Sequence, residues 1–391
     1  WIARIEMALL ADYYLDHFLE SEARGETDDM EYFGKLVETY DDGRHAKELK
    51  GDGSLELHSD PPGASVWLYD LVEEGFIVVP KNERKLGITP LPKASLAMGS
   101  YLVVLKKEGH LDTRYPVFIS RNKEWSGEVR LYTREEIDTD FVYVPAGPFI
   151  QGGDPEARDW SLPRAEPWVD GFFIATHPVT LAEYLEFLDS IAATDGIEAA
   201  EKRAPRHAAE GGCDLERSED GRLKLPKVDG EGHVWRPDWP VMAVSWHDAL
   251  AYCAWRSERD GREYRLPTEA EREKTARGVD GRWFPWGWRF DASLCNKRGS
   301  LRERVTIVPV SDFATDVSVY GARGMGGNVR ELTSTERIKG ESEGASRMVV
   351  ARGGSWDFPI ILCRAACRGE IHPLAVSYHI GFRLTRSAPR G

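Results

Sequence analysis

Cysteine is scarce in this chain and odd in number: five in 391 residues. A disulfide framework needs more of them in pairs, so covalent stapling is excluded as the main support and a reducing, cytoplasmic setting is expected. No run of about 18 apolar residues is present, so no membrane-spanning helix is expected. No basic segment followed by an apolar stretch stands at the start, so no signal peptide is read there. Basic residues are outnumbered, 51 Lys and Arg against 65 Asp and Glu, for a formal charge of −14. That balance argues against nucleic acid, whose phosphates are held by an excess of Lys and Arg. There is no Walker loop, no kinase glycine-rich loop with its His-Arg-Asp and Asp-Phe-Gly partners, and no Gly-x-Ser-x-Gly elbow. The ten histidines are scattered, without the close spacing of a metal-binding facial set.

What is there divides into three stretches, an α+β organisation. Residues 1–50 read as a helical hairpin. Ile5, Ala8, Leu9, Tyr13 and Leu15–Leu19 form one apolar stripe, and Tyr32, Phe33, Leu36, Val37 and Tyr40 form the second. Residues 54–132 switch to a two-residue period, as in Leu55-Glu-Leu-His58 and Ser65-Val-Trp-Leu-Tyr69, with Gly and Pro between the runs. That spacing predicts a small antiparallel β-sandwich. Residues 133–140 read as an acidic connector, and 141–386 as a large loop-rich unit in which 192–238, rich in Gly, Ala and charge, is expected to be a surface insertion.

The middle stretch carries Asp60-Pro-Pro-Gly-Ala-Ser-Val66, Leu86-Gly-Ile-Thr-Pro-Leu91 and Gly99-Ser-Tyr-Leu-Val-Val104. In these turns it resembles the PEGA domain, a resemblance that implies a spacer or binding surface and no chemistry.

The large unit carries eight marks in order. They are Val142-Tyr-Val-Pro-Ala-Gly-Pro-Phe149, Val179-Thr180, Pro240-Val-Met-Ala-Val-Ser-Trp246, Tyr264-Arg-Leu-Pro-Thr-Glu-Ala-Glu271, Pro285-Trp-Gly287, Gly327-Asn-Val-Arg-Glu331, Arg352-Gly-Gly-Ser-Trp356 and Gly381-Phe-Arg383. In wording and order this resembles the formylglycine-generating-enzyme (sulfatase-modifying factor) family, which implies an elaborated C-type-lectin-like fold. Thr268 is placed to cap a helix starting at Glu269, and Pro285-Trp-Gly287 reads as a buried turn.

Oxidase members of that family use two cysteines five positions apart to hold copper and activate oxygen. Aligned backward from Pro373 and Gly381-Phe-Arg383, those positions fall on Ile360 and Ala365. The cysteines present, Cys363 and Cys367, are four apart, and Arg364 and Arg368 between and beside them read as structural ion-pair residues. The related ergothioneine-pathway sulfoxide synthase binds iron with histidines of a separate helical domain, and the N-terminal helices here offer only His17 and His45. Neither copper nor iron is therefore expected. A structural calcium ion is the one cofactor the resemblance implies, at Gly327, Asn328, Val329 and Glu331, with Asn296 in a second turn. Arg330 stands where the family usually has Trp, and Glu331 reads equally as a calcium ligand or a buried ion-pair partner.

In the same fold, the variable proteins of diversity-generating retroelements face ligands with the stretch before Gly381-Phe-Arg383. Here it places Asp357, Phe358, Glu370, His372, Tyr378 and His379 on a candidate ligand-binding surface. The three-part order also resembles the C-terminal part of bacterial serine/threonine kinases, and the start at Trp1 fits a piece of a longer protein with a kinase domain upstream. Three functions compete: a non-catalytic recognition, sensor or effector module of a signalling or defence protein, a copper- or iron-dependent oxidase, or a structural assembly protein. The partner, whether a protein or a small ligand, is not named by the sequence.

Overall fold

A computed structural model describes residues 2–24, 27–207, 211–228, 234–301, 305–339 and 346–389. The architecture is mixed α+β. Helices α1 (Ile2–Arg24) and α2 (Thr27–Tyr40) pack as a hairpin. Its seam is Ala11, Leu15 and Phe18 against Val37, an i, i+4, i+7 set on one face. The expected stripes are met in part: Leu15, Phe18 and Val37 are buried, while Ile5, Leu9, Tyr13 and Tyr32 are exposed. A single partner helix covers only one stripe, and the seam on 11, 15 and 18 takes it. Arg121 ties the hairpin to the neighbouring strands, pairing with Glu22 at 2.6 Å and lying over the Phe18 ring.

The next seven strands form two sheets. In the first, β1 (Gly53–Asp60) lies between β4 (Leu91–Leu96) and β7 (Glu124–Arg130), antiparallel to β4 and parallel to β7. The second runs β3 (Ile77–Ile88), β2 (Ser65–Glu74), β5 (Gly99–Lys106), β6 (Thr113–Ile119), all antiparallel. Alternation sends Leu55, Leu57, Val66, Leu68, Val103, Leu105 and Val117 into one shared core. The opposite face of β5 is also apolar: Leu102 and Val104 pack with Val144, Phe172 and Ile174 of the large unit. Val78 N–H donates to the Trp286 carbonyl across the same junction.

The large unit opens with β8 (Phe141–Val144), paired to β9 (Phe172–Ala175), which pairs in turn with the last strand, Thr385–Ser387. A four-stranded sheet comes next, in which Ser346–Arg352 lies between Arg330–Lys339 and Arg368–Ile371, with Ile380–Gly381 at the far edge. Three helices start at full capping boxes, each satisfying backbone N–H groups that would otherwise be orphaned. Thr180 with Glu183 starts α3 (Leu181–Asp195), Ser245 with Asp248 starts α4 (Trp246–Asp260), and Thr268 with Glu271 starts α5 (Glu269–Arg277). The main core gathers Tyr184, Phe187, Trp246, Tyr252 and Phe382.

Two expectations change here. Residues 192–238 are not a loop lying on the surface, because Ala200, Ala204, Leu215, Leu223 and Trp235 all join the main core. These five are spaced too irregularly among charges to show a period, yet each is buried, whereas Val228 and Val234 are exposed. The connector 133–140 is anchored as well: Ile137 is 8% exposed, and Asp138 is held by Arg262 and by Arg386 at 3.0 Å. Limited proteolysis should therefore cut first in the exposed 216–222 region, not at 133–140. A nick forced between 133 and 140 should leave both pieces associated on a sizing column until denaturant is added. Early release of the 54–132 piece would show that the shared apolar junction is too weak to hold it.

Candidate functional site

Helix α5 has the sequence Glu-Ala-Glu-Arg-Glu-Lys-Thr-Ala-Arg and is almost wholly buried. Burying charge is tolerated only when it is paired and hydrogen-bonded; each charge here has an ionic partner except Lys274, which has only backbone carbonyls and whose pKa burial lowers to about 7. Arg272 donates to Glu331 at 2.6 Å and to the Met325 carbonyl. Glu273 accepts from Arg277 at 2.9 Å and from Arg352 at 2.6 Å. The Lys274 ammonium donates to the carbonyls of Pro145 and Gly147 at 2.8 and 2.9 Å. Arg383 completes the Glu331 site with a two-pronged contact at 2.7 and 2.8 Å, and reaches the Arg323 and Ala175 carbonyls as well. Burial pushes the Glu331 carboxyl up, and the two guanidinium groups more than reverse that, holding it below the usual 4.5.

This arrangement tests the implied calcium site. Both oxygens of Glu331 are occupied by arginines, so a cation there would meet two positive charges at close range. Asn328 accepts Val308 N–H at its Oδ1 and donates its Nδ2 to the Val308 carbonyl. Asn296 donates to Asn328 and to the Thr306 carbonyl. Val329 is buried in the core, and the N–H of Gly327 points to the Asp316 carboxylate at 3.1 Å. Asp316, which the sequence did not single out, also accepts from Met325 and Gly326. Burial raises its pKa to about 6, against the pull of those backbone donors. The five residues therefore come together as a turn held by side-chain amides and ion pairs, and their side chains do not fit a calcium ion.

Cys363 and Cys367 are both buried, and Cys363 packs in a cluster with Cys295 and Trp286. A hydrogen bond with the Cys363 thiol, together with burial, holds the Cys295 thiol well above its ordinary pKa. Burial pushes Cys367 up to about 11. Among the described residues, no group of three or more His, Cys, Asp or Glu converges to hold a metal ion. Arg364 and Arg368 do make ion pairs, with Asp154 at 2.6 Å and Glu269 at 3.0 Å.

A cleft of about 400 Å³ opens beside this ionic core. One wall is the stretch after Gly354, which passes so close to Cys363 that an added Cβ would lie 2.6 Å from its Sγ. Trp356 is fixed by its indole N–H on the Tyr378 carbonyl at 3.0 Å, and His379 lies between the Trp356 and Phe358 rings at 4.9 and 5.0 Å. Burial lowers the His379 pKa, so the imidazole is neutral at pH 7. The other wall comes from His207, Cys213, Asp214, Pro226, Trp235 and Trp239. His207 Nδ1 lies 2.9 Å from the Tyr378 hydroxyl, which donates to Asp214 at 2.8 Å. Trp235, Trp239 and Met242 make the floor.

Of the six surface residues expected from sequence, Asp357, Tyr378 and His379 line the cleft. Phe358 stands behind His379 and under Arg330, at 5.3 Å from its guanidinium. Glu370 is paired with Arg368 on its strand, and the His372 ring accepts from Leu374 N–H, so both lie outside the lining. The sequence reading missed His207, Asp214, Trp235 and Trp239. One signal was available: Trp235 is the single Phe, Trp or Tyr within 192–238, and an indole in so charged a stretch needs somewhere to be buried.

A family model, the sulfatase-modifying factor enzyme 1-like domain, matches residues 128–388. The chain belongs to the sulfatase-modifying factor family. Formylglycine-generating enzyme of Bos taurus is 30% identical over 291 residues, 63% of this chain and 74% of that enzyme. The inactive C-alpha-formylglycine-generating enzyme 2 of Mus musculus is 31% identical over 300 residues, 67% of this chain and 90% of that protein. Serine/threonine-protein kinase Pkn1 of Chlamydia trachomatis serovar L2 is 29% identical over 276 residues, 65% of this chain but 40% of the kinase. Among the described residues no catalytic cysteine pair is found: the five cysteines are all free, and none belongs to a metal-holding cluster.

Replacing Glu331 by Gln should cost about 3–5 kcal/mol, because it leaves two buried guanidinium groups without their counter-charge. Wild type should melt at the same temperature in chelator and in millimolar calcium. A calcium-dependent rise that Glu331→Gln abolishes would place a cation at this carboxylate after all. The contribution of Glu331 is complete above pH 4.5 and is lost as pH falls through its lowered native value. Acid titration of Glu331→Gln should accordingly show a flatter stability profile below pH 4.5 than wild type.

Proposed function

We propose that this chain is a non-catalytic recognition module, a sensor or effector part of a signalling or defence protein, that binds its ligand in the cleft between 207–239 and 356–379. The observation that carries this reading is a concave, aromatic-floored cleft with a few fixed polar groups, the usual make-up of a binding site, in a unit with no catalytic cysteine pair among its described residues. In this reading the fold is of the C-type-lectin type, residues 54–132 are a PEGA-like spacer, and the helical hairpin leads to a kinase domain. The likeness to Pkn1 over its matched 40% supports that setting. A cytoplasmic location accords with five free cysteines; among the described residues no helix is long and apolar enough to cross a membrane.

Two measurements test it. Incubation with a Cys-x-Pro-x-Arg peptide and copper should leave the cysteine unoxidised by mass spectrometry, and an aldehyde product would overturn the non-catalytic reading. Equilibrium dialysis against extract of the source cell should enrich a compound or polypeptide on wild type that Trp356→Ala, folded by its melting curve, does not retain. Identical enrichment by the two proteins would remove the cleft from the function.

A further inference from the structure

The occupant of the cleft can be named by class from the groups that face it, an argument that rests on the recognition reading above. Its walls are three indoles, Trp235, Trp239 and Trp356, with the Tyr378 ring and the Met242 thioether. Its carboxylates are Asp357 and Asp214, the latter 3.3 Å from His207 Nε2, which also lines the cleft, and accepting from the Tyr378 hydroxyl. No arginine or lysine lines it among the described residues, although Arg298 reaches Asp357 from outside at 2.9 Å. The neutral His379 adds no positive charge. Electron-rich ring faces combined with carboxylates attract a cation and repel an anion. The net charge of −14 gives the whole surface the same preference.

A second observation defines the rest of the ligand. Trp239 is 3% exposed, and its indole N–H has no acceptor in the protein among the described residues. A buried donor left unmade costs about 1–3 kcal/mol, and Trp239 lines the cleft. An acceptor oxygen on the ligand would satisfy it.

We propose that the cleft takes an alkylammonium group whose apolar stem carries a carbonyl oxygen, the cation among the indoles and Asp214, the carbonyl on Trp239 Nε1. A lysine residue within a peptide has that chemistry, and so does a small amine bearing an amide. The carbonyl is what distinguishes either from a simple free amine.

Titration of the whole chain by saturation-transfer NMR tests this with four probes: Nα-acetyl-lysine methylamide, its norleucine counterpart lacking only the ammonium, Nα-acetyl-glutamate methylamide, and pentylammonium, which lacks the carbonyl. The lysine probe should bind about tenfold tighter than the norleucine probe, as a desolvated cation–aromatic contact allows. Asp214→Asn should remove that difference. Pentylammonium should bind more weakly than the lysine probe, and Trp239→Phe should bring the two level. Should Trp239→Phe fail to fold, Asp214→Asn and the probe ranking still decide. Equal binding of lysine and norleucine probes, or tighter binding of the glutamate probe, overturns the cation while leaving the cleft as the site. If no probe binds but Trp356→Ala still loses the ligand enriched from extract, the class is overturned and the recognition reading stands. If that loss is also absent, both fall.

Discussion

The large unit depends on one constraint: a helix of alternating charges sits where an apolar helix would ordinarily be. Helix α5 could not be buried unless every carboxylate and cation on it met a partner, and the partners come from distant loops. Glu331 and Arg383 close on Arg272, Arg352 closes on Glu273, and backbone carbonyls close on Lys274. Replacing such pairs with well-packed apolar groups is often neutral or favourable, whereas breaking one is costly. The pairs therefore do little to raise net stability and much to specify which loops meet. In a unit with short strands and long irregular connections, that specification replaces the ladder of a regular sheet.

The same constraint explains why Glu331 offers no open carboxylate oxygen to a calcium ion. A divalent ion and a pair of arginines solve one problem in two ways, tying irregular loops to a buried carboxylate. Here the guanidinium solution is in place, and Arg383 adds reach that an ion lacks, since its remaining N–H groups bind the Ala175 and Arg323 carbonyls. The choice of Arg over Lys follows from the planar fork, which meets both carboxylate oxygens at once.

Local rules made much of the fold legible. Thr180, Ser245 and Thr268 each stand one residue before a helix with an acidic residue at the third position, and each forms the capping box that pattern implies. Trp286 is buried in its Pro-Trp-Gly turn, and Arg364 and Arg368 are ion-paired. The failures were all non-local. Nothing near Glu331 in sequence tells a cation ligand from an arginine partner, because Arg272 and Arg383 lie more than 50 residues away on either side. Half of the cleft was hidden because its second wall lies in a stretch without periodicity.

The cleft and the ionic core draw on different residues. His207, Asp214, Trp235, Tyr378 and His379 form none of the ion pairs around α5, while Arg272, Glu273, Glu331 and Arg383 do not line the cleft. Fold specification and ligand contact are thus written in separate parts of the sequence. Substitutions along 207–239 and 356–379 can re-shape what the protein meets while the charged helix keeps the frame around them unchanged. A scaffold divided in this way can diversify its contact surface without first accumulating spare stability, because the residues that change are not the ones that keep it folded.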